Sequence, residues 1–305
     1  MIKKNNCILC KSKVTVVNQI IDKNELIELY LKEYNSDVSH IIEKNIEYIH
    51  CNNCDLYYFH PAFIGDEKFY NSLQKLTWYY QDYKYEYDFV ANFIKENNNI
   101  LEIGCGKAAF TKYLKENVNY TGLDFSIEAK NMASINGIKI ENISVHELAK
   151  KNIKFDVVCS FQVLEHVGDP YRFIQSALEC LKKKGLFIIA VPSESSFIKY
   201  ARNSILNMPP HHITRWTDKA LYSLSNLFPI DTIGVYHEKV SDIHKEWFVN
   251  TFIEVILFRK RKMINISNSY FKNNIIKLIR KMVLNKLKPE FLPEGHTVIA
   301  VYKKK

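Results

Sequence analysis

The sequence predicts an α/β protein: a mostly parallel sheet with helices on both faces, led by a small cysteine-bearing region. Three observations predict it. Short apolar runs alternate with amphipathic stretches of about ten residues between 100 and 192. Two glycines, Gly104 and Gly106, stand one residue apart in "NILEIGCGKAAF" (99–110), in a chain with only nine glycines in 305 residues. Two C-x-x-C pairs, Cys7/Cys10 and Cys51/Cys54, lie near the start.

The elements follow in order. Residues 1–60 read as short and irregular, with knuckles at "CILCKSK" and "CNNCDLYYFHP" and helical spacing in "NELIELYLKEY" (24–34). Residues 66–97 read as helical, and "ENNN" (96–99) breaks the helix. Strand "ILEIG" (100–104), helix "AAFTKYLKEN" (108–117), strand "YTGLDF" (120–125), helix "SIEAKNMASIN" (126–136) and a short strand "IKI" (138–140) come next. Strand "FDVVCSF" (155–161), helix "PYRFIQSALECLKK" (170–183) and strand "GLFIIAVP" (185–192) complete the alternation. Strands apolar throughout require cover on both faces. The stretch 193–216 is a long connection, and such connections carry binding groups. A final strand is expected over 296–304. The predicted divisions are 1–65, metal-binding, and 66–305, with a substrate loop at 193–225 and a helical insertion at 240–290.

Composition excludes little but bounds the class. With 47% hydrophobic and 25% charged residues, the chain is ordinary for a folded protein. The start has no apolar core of signal length, and "WFVNTFIEVILF" (247–258) is short and carries Glu254, so a cytoplasmic location is expected. The net charge of +9 is read first as a lysine-rich, solubilising surface, because no Arg-rich stripe with interleaved aromatics occurs. Nucleic acid is a second, less favoured partner. The amphipathic stretch 270–287 suits packing on the sheet or on another subunit, and alternatively an anionic membrane surface.

The glycine pair is a nucleotide-type turn. Gly104 permits a tight turn out of the strand, and Gly106 lets backbone approach a ligand. Asp124, twenty residues after Gly104, suits a ribose. A nicotinamide cofactor and S-adenosylmethionine both present a ribose there. Glu102 favours the second, since a carboxylate suits a ligand carrying an ammonium and a sulfonium. The four paired cysteines suit a tetrahedral, structural Zn²⁺, and Cys105, Cys159 and Cys180 read as buried thiols.

Together, E-x-G-x-G, the acidic end of the second strand, "FQVLEHVGDP" (161–170) and "LKKKGLFIIAVP" (181–192) resemble class I S-adenosylmethionine-dependent methyltransferases over about residues 75–300. The resemblance implies a Rossmann-like, seven-stranded, mostly parallel sheet and S-adenosylmethionine as cofactor. It implies that Glu102 and the backbone of Gly104, Cys105 and Gly106 face the methionine moiety, and that Asp124 holds the ribose. Phe125 would lie beside the adenine, or in the core, and Asn142 to Ser144 would border its edge. Phe161, also readable as core, and Gln162 would line the cofactor, with Tyr79 or Tyr80 over it. Ala108 departs from the family, which has a third glycine there.

Methyl transfer needs alignment, exclusion of water and a proton acceptor. Candidates are His166, after the fourth strand, and His211 and His212 in "PPHHITRW" (209–216), with Arg215 placed to grip an anionic group. Small-RNA 2′-O-methyltransferases, similar in one cluster, bind a divalent ion through E-x-x-E-H and a later histidine. Here Gln162 replaces the first carboxylate of the Gln162-x-x-Glu165-His166 set, with His211 or His212 as the later histidine, so a magnesium-assisted 2′-O-methylation of RNA is a lesser alternative. The zinc-binding start, "GDEKFY", "WYYQDYKYEYDF" and "PPHHITRW" resemble bacterial methyltransferases of sugar and surface-polysaccharide pathways. This implies a small, sugar-type acceptor. RNA methylation and a non-catalytic binding module are the alternatives, and a homo-oligomer is compatible with either.

Overall fold

The computed structural model describes residues 6–74, 83–126, 137–258, 262–264, 270–284, 286–288, 290 and 292–305. In chain order, β1 (Thr15–Ile21), α1 (Lys23–Tyr34), β2 (Ile46–Cys51) and β3 (Tyr57–His60) come first. They are followed by α2 (Glu67–Gln74) and α3 (Tyr85–Ala91). The repeating part comprises β4 (Asn99–Ile103), β5 (Asn119–Leu123), β6 (Ile140–Glu141), α4 (Val145–Lys150), β7 (Phe155–Phe161), α5 (Pro170–Glu179) and β8 (Leu181–Pro192). Then come β9 (Thr214–Arg215), α6 (Asp218–Leu227), β10 (Ile230–Lys239), α7 (Lys245–Phe258), α8 (Tyr270–Leu284) and β11 (Glu294–Lys304).

The larger sheet has seven strands in the order β10-β11-β8-β7-β4-β5-β6. From β8 to β6 the pairings are parallel, and β11 is antiparallel to both β8 and β10. Alternate residues of the same strands feed opposite faces. Leu101 and Ile103 of β4, Val158 of β7 and Ile189 of β8 pack with Phe173 and Ile174 of α5 and with Trp216 and Leu221. Ile100, Val157, Cys159 and Ile188 pack with Tyr87, Val90, Ile94 and Phe110 on the other side. Local chemistry sets the helix starts: Asp169 accepts from Arg172 N ahead of Pro170, and Ser144 with Glu147 forms a capping box.

Several boundaries differ from expectation. The start is not irregular: β1, β2 and β3 form an antiparallel sheet whose fourth strand is β9, drawn from the 193–225 loop. Cys7, Leu9, Leu56 and Tyr58 share a core with Trp216 and Leu221. Tyr30 of α1 donates its hydroxyl to Ile205 O at 2.7 Å, so this helix also holds the loop. The helix expected over 108–117 is a 3₁₀ turn at Ala109–Tyr113, entered through Ala108 in the left-handed conformation (φ 56°). That conformation is the physical reason a glycine suits the position. The helix expected over 126–136 lies, apart from Ser126, outside the described residues.

Among the described residues, no helix is long and apolar enough to cross a membrane. In the expected insertion, Arg280 of α8 pairs with Glu246 of α7, while Leu278 and Met282 are exposed.

Candidate active site

The C-terminal end of β4 opens into Gly104 (φ 75°), Cys105 and Gly106 (φ 48°). A Cβ on Gly104 would stand 2.3 Å from Val163 Cγ2, in a conformation L side chains avoid. Gly104→Ala is therefore expected to lower stability by about 2 kcal/mol or more and to displace the turn. Thermal melts with and without S-adenosylhomocysteine would show both effects. Asp124 is oriented by the same turn: Oδ2 accepts from Gly106 N at 2.7 Å and Oδ1 from Ser126 N at 2.8 Å. Glu102 is 1% exposed and accepts from the Tyr120 hydroxyl at 2.5 Å. Burial pushes its pKa up to about 8, against the pull of that hydrogen bond.

The other donor-side residues separate. Cys105 is buried beside Ala108 and Ile140. Phe125 is 74% exposed on the cleft, so it is no core residue. Phe161 is buried with ring centroids 5.2 Å from Tyr87 and 5.0 Å from Phe110, although it also borders the cleft. Asn142 donates to Asp124 O at 2.9 Å and does not line the cleft. Tyr79 and Tyr80 lie outside the described residues.

One cleft of about 2390 Å³ runs from the Gly104–Gly106 turn and Asp124 to His166, His211 and His212. The three imidazoles come from two places. His166 ends a 3₁₀ turn, Leu164–His166, directly after β7. His211 and His212 precede β9, which is held on one side by β3 and on the other by Ile213 N donating to Glu165 O at 2.7 Å. Their ring centroids lie 4.5–4.8 Å apart. Burial lowers all three pKa values, that of His166 to about 4, so the rings are neutral at pH 7.

Glu165, the acid of the Gln162-x-x-Glu165-His166 set, lies close to two of the three rings. Its Oε1 stands 3.9 Å from His166 Nε2 and 4.0 Å from His212 Nε2. Burial pushes its pKa up to about 8. Its signal in sequence is the Gln162-x-x-Glu165-His166 set, with His211 or His212 as the later histidine. Gln162 does not join this group: its side chain donates to Glu86 Oε1 at 3.1 Å. The carboxylate-rich set a hard cation needs is therefore not assembled there. Arg215, expected to grip an anion, is instead buried, 2.6 Å from Glu194 Oε2 and over the Tyr48 ring.

The four paired cysteines meet in space. Cys7 Sγ lies 3.7 Å from Cys54 Sγ and Cys10 Sγ 3.6 Å from Cys51 Sγ, and all four ligand atoms are within 4.8 Å of one another. A tetrahedral Zn²⁺ with bonds of about 2.3 Å separates its thiolates by about 3.8 Å, so the cluster fits that ion. Both knuckles turn alike: Lys11 N donates to Cys7 O and Asp55 N to Cys51 O, with Lys11 and Asp55 both at positive φ.

The family described as "Methyltransferase domain" matches residues 77–239, more than half of the chain. The chain belongs to this family. It is a methyltransferase of the S-adenosylmethionine-dependent class. The ubiquinone biosynthesis O-methyltransferase of Colwellia psychrerythraea is 25% identical to it over 170 residues, 48% of this chain and 67% of that one. The enzyme of the same name from Pelagibacter ubique is 35% identical over 101 residues, 31% of this chain and 42% of that one. Among solved structures, coclaurine N-methyltransferase bound to N-methylheliamine and S-adenosylhomocysteine is 13% identical, with a TM-score of 0.47 and 72% of each chain covered. An S-adenosylmethionine-dependent methyltransferase from Archaeoglobus fulgidus is 16% identical, with a TM-score of 0.44, covering 73% of this chain and all of that one.

Proposed function

We propose that this methyltransferase acts on a hydroxyl of a polar, sugar-type small molecule, with the histidine group of the cleft taking up the hydroxyl proton. The observation that carries the reading is the single cleft: its donor-side turn and its buried, neutral imidazoles open into the same space. S-adenosylmethionine, when bound, supplies the electrophilic methyl. In this reading Glu102 receives the ammonium of the donor, Asp124 takes the ribose hydroxyls and Phe125 covers the adenine.

The relatives' names support oxygen as the accepting atom. Glu86, Gln162, Glu238 and Thr297 line the cleft and suit an acceptor rich in hydroxyls, and Trp247 offers a flat face to a sugar ring. Cys7, Cys10, Cys51 and Cys54 hold a structural Zn²⁺ in the same proposal, since the thiolate spacing fits it.

The test is incubation with methyl-labelled S-adenosylmethionine and panels of nucleotide sugars, phenols and RNA. Label on nucleotide sugars is expected. Label confined to RNA or to phenols overturns the acceptor class, and bound donor with no label anywhere makes the chain a binding module.

A further inference from the structure

We propose that the paired helices α7 and α8 form a docking surface for an anionic lipid bilayer. The proposal goes beyond the methyl-transfer reading and stands without it.

The first observation is where the charge sits. Residues 255–289 hold ten of the 42 Lys and Arg and none of the 33 Asp and Glu. The rest of the chain carries 32 against 33, so the net charge of +9 belongs to this one segment. A solubilising coat would be spread over the whole surface, whereas charge gathered in one place draws an anionic partner to that place. The acids of α7 do not offset it: Glu246 pairs with Arg280, and Glu254 has Arg202 near it. Lys277 and Lys281 of α8 are exposed and, among the described residues, have no acidic partner.

The second observation is what lies beside those lysines. Leu278 and Met282, one turn apart on α8, are 66% and 60% exposed. Phe252, Val255 and Ile256, at helical spacing on α7, are exposed as well, and so is Leu257. The contact of α7 with the core is made by other residues, since Val249 and Ile253 are buried. The helix pair is thus anchored and still presents apolar side chains among cations. At a bilayer surface the acyl boundary takes the first and the headgroup phosphates take the second.

Other occupants answer only one of the two features. RNA phosphates would pair with the lysines but offer nothing to Val255, Ile256, Leu257, Leu278 and Met282. A second copy could cover the apolar side chains, but it would set two strongly cationic segments against each other. The surface is also close to the cleft. Lys245 and Trp247, in the first turn of α7, line the cleft wall, and Ile256 lies about 14 Å further along the helix axis.

The test is co-sedimentation of the full-length protein with vesicles of phosphatidylcholine containing about 30% phosphatidylglycerol, and with vesicles of phosphatidylcholine alone. Binding to the anionic vesicles is expected to be at least about tenfold tighter, and to weaken as salt rises from about 0.1 to 0.5 M. Lys277→Gln combined with Lys281→Gln should weaken it by about thirtyfold. Leu278→Asn combined with Met282→Asn should weaken it by about tenfold. All four side chains are exposed, so the melting temperature should not move in either variant. No binding to anionic vesicles by cooperatively melting wild type, or equal binding to both vesicles, overturns the proposal. Single-stranded RNA bound as tightly as the anionic vesicles, with the Leu278/Met282 variant unaffected, makes this a phosphate-binding face and overturns it too. A dimer in vesicle-free solution that the Leu278/Met282 variant dissociates assigns the face to a second copy instead. Calorimetry with S-adenosylhomocysteine keeps the two readings apart: uptake without vesicle binding sinks the docking surface alone, and vesicle binding without uptake sinks the donor assignment alone.

Discussion

Glu102→Gln is expected to make the ligand-free protein more stable while removing most of its affinity for the methyl donor. The folded pKa of Glu102, about 8, lies above its ordinary value of 4.5 because the carboxyl is buried. Between those values the folded chain keeps a proton that the unfolded chain has lost. Stability is therefore full below pH 4.5 and falls as pH rises toward 8, by about 1.4 kcal/mol per pH unit. Glutamine has no such dependence and still accepts from the Tyr120 hydroxyl. At pH 7 the gain is up to about 3 kcal/mol, and it should vanish near pH 4.5. The affinity for S-adenosylhomocysteine should fall by about a hundredfold, since an ammonium loses its carboxylate partner. Donor binding to the wild type should also release a proton at pH 7 and tighten as pH rises to about 8. Melting curves at pH 5 and 7.5, and calorimetry in two buffers of different ionisation enthalpy, check each part. Equal melting temperatures at pH 7.5 would refute the burial argument.

Cys51→Ser is the second large effect. A structural zinc site contributes about 10–16 kcal/mol of binding free energy, and opening one of four thiolate positions forfeits much of it. The loss should not stay local. Asp55, in the Cys51 knuckle, accepts from Thr217 Oγ1 at 2.8 Å, and β3 pairs with β9, directly after His211 and His212. The variant is expected to lose one zinc per chain by mass spectrometry of the intact protein, to melt at lower temperature and to lose methyl transfer. Cys180→Ser, at a buried and isolated thiol, should keep the zinc and most of the activity. Full activity in a zinc-free Cys51→Ser protein would contradict the coupling.

How much of this was legible in the sequence depended on whether the signal was local. Strands β4, β7 and β8 were readable because burial on both faces forces unbroken apolar runs. The glycine turn and the cysteine pairs were readable because their chemistry lies in the residues themselves. The small sheet was not: β1 leaves Val16, Val17 and Ile20 exposed, so no alternation marks it. β9 is two residues long, too short for any period. Arg215 looked like a ligand grip because nothing nearby in sequence announces Glu194 as its partner. Glu165 was legible as the acid of the Gln162-x-x-Glu165-His166 set, but its approach to His212 as well as His166 was not, since His212 arrives from more than forty residues away. Phe125 and Phe161 looked alike in sequence, and only the depth of each position separates them.

The placement of β11 between β8 and β10 has a consequence for biosynthesis. Both of its neighbours leave the ribosome earlier, yet neither can pair across that gap until residues 294–304 emerge. A nascent chain that stops short of them carries β8 as an open apolar margin, the kind of surface that chaperones hold and that self-associates when they do not. Fusions or deletions at this segment should thus act on solubility during synthesis before they act on catalysis.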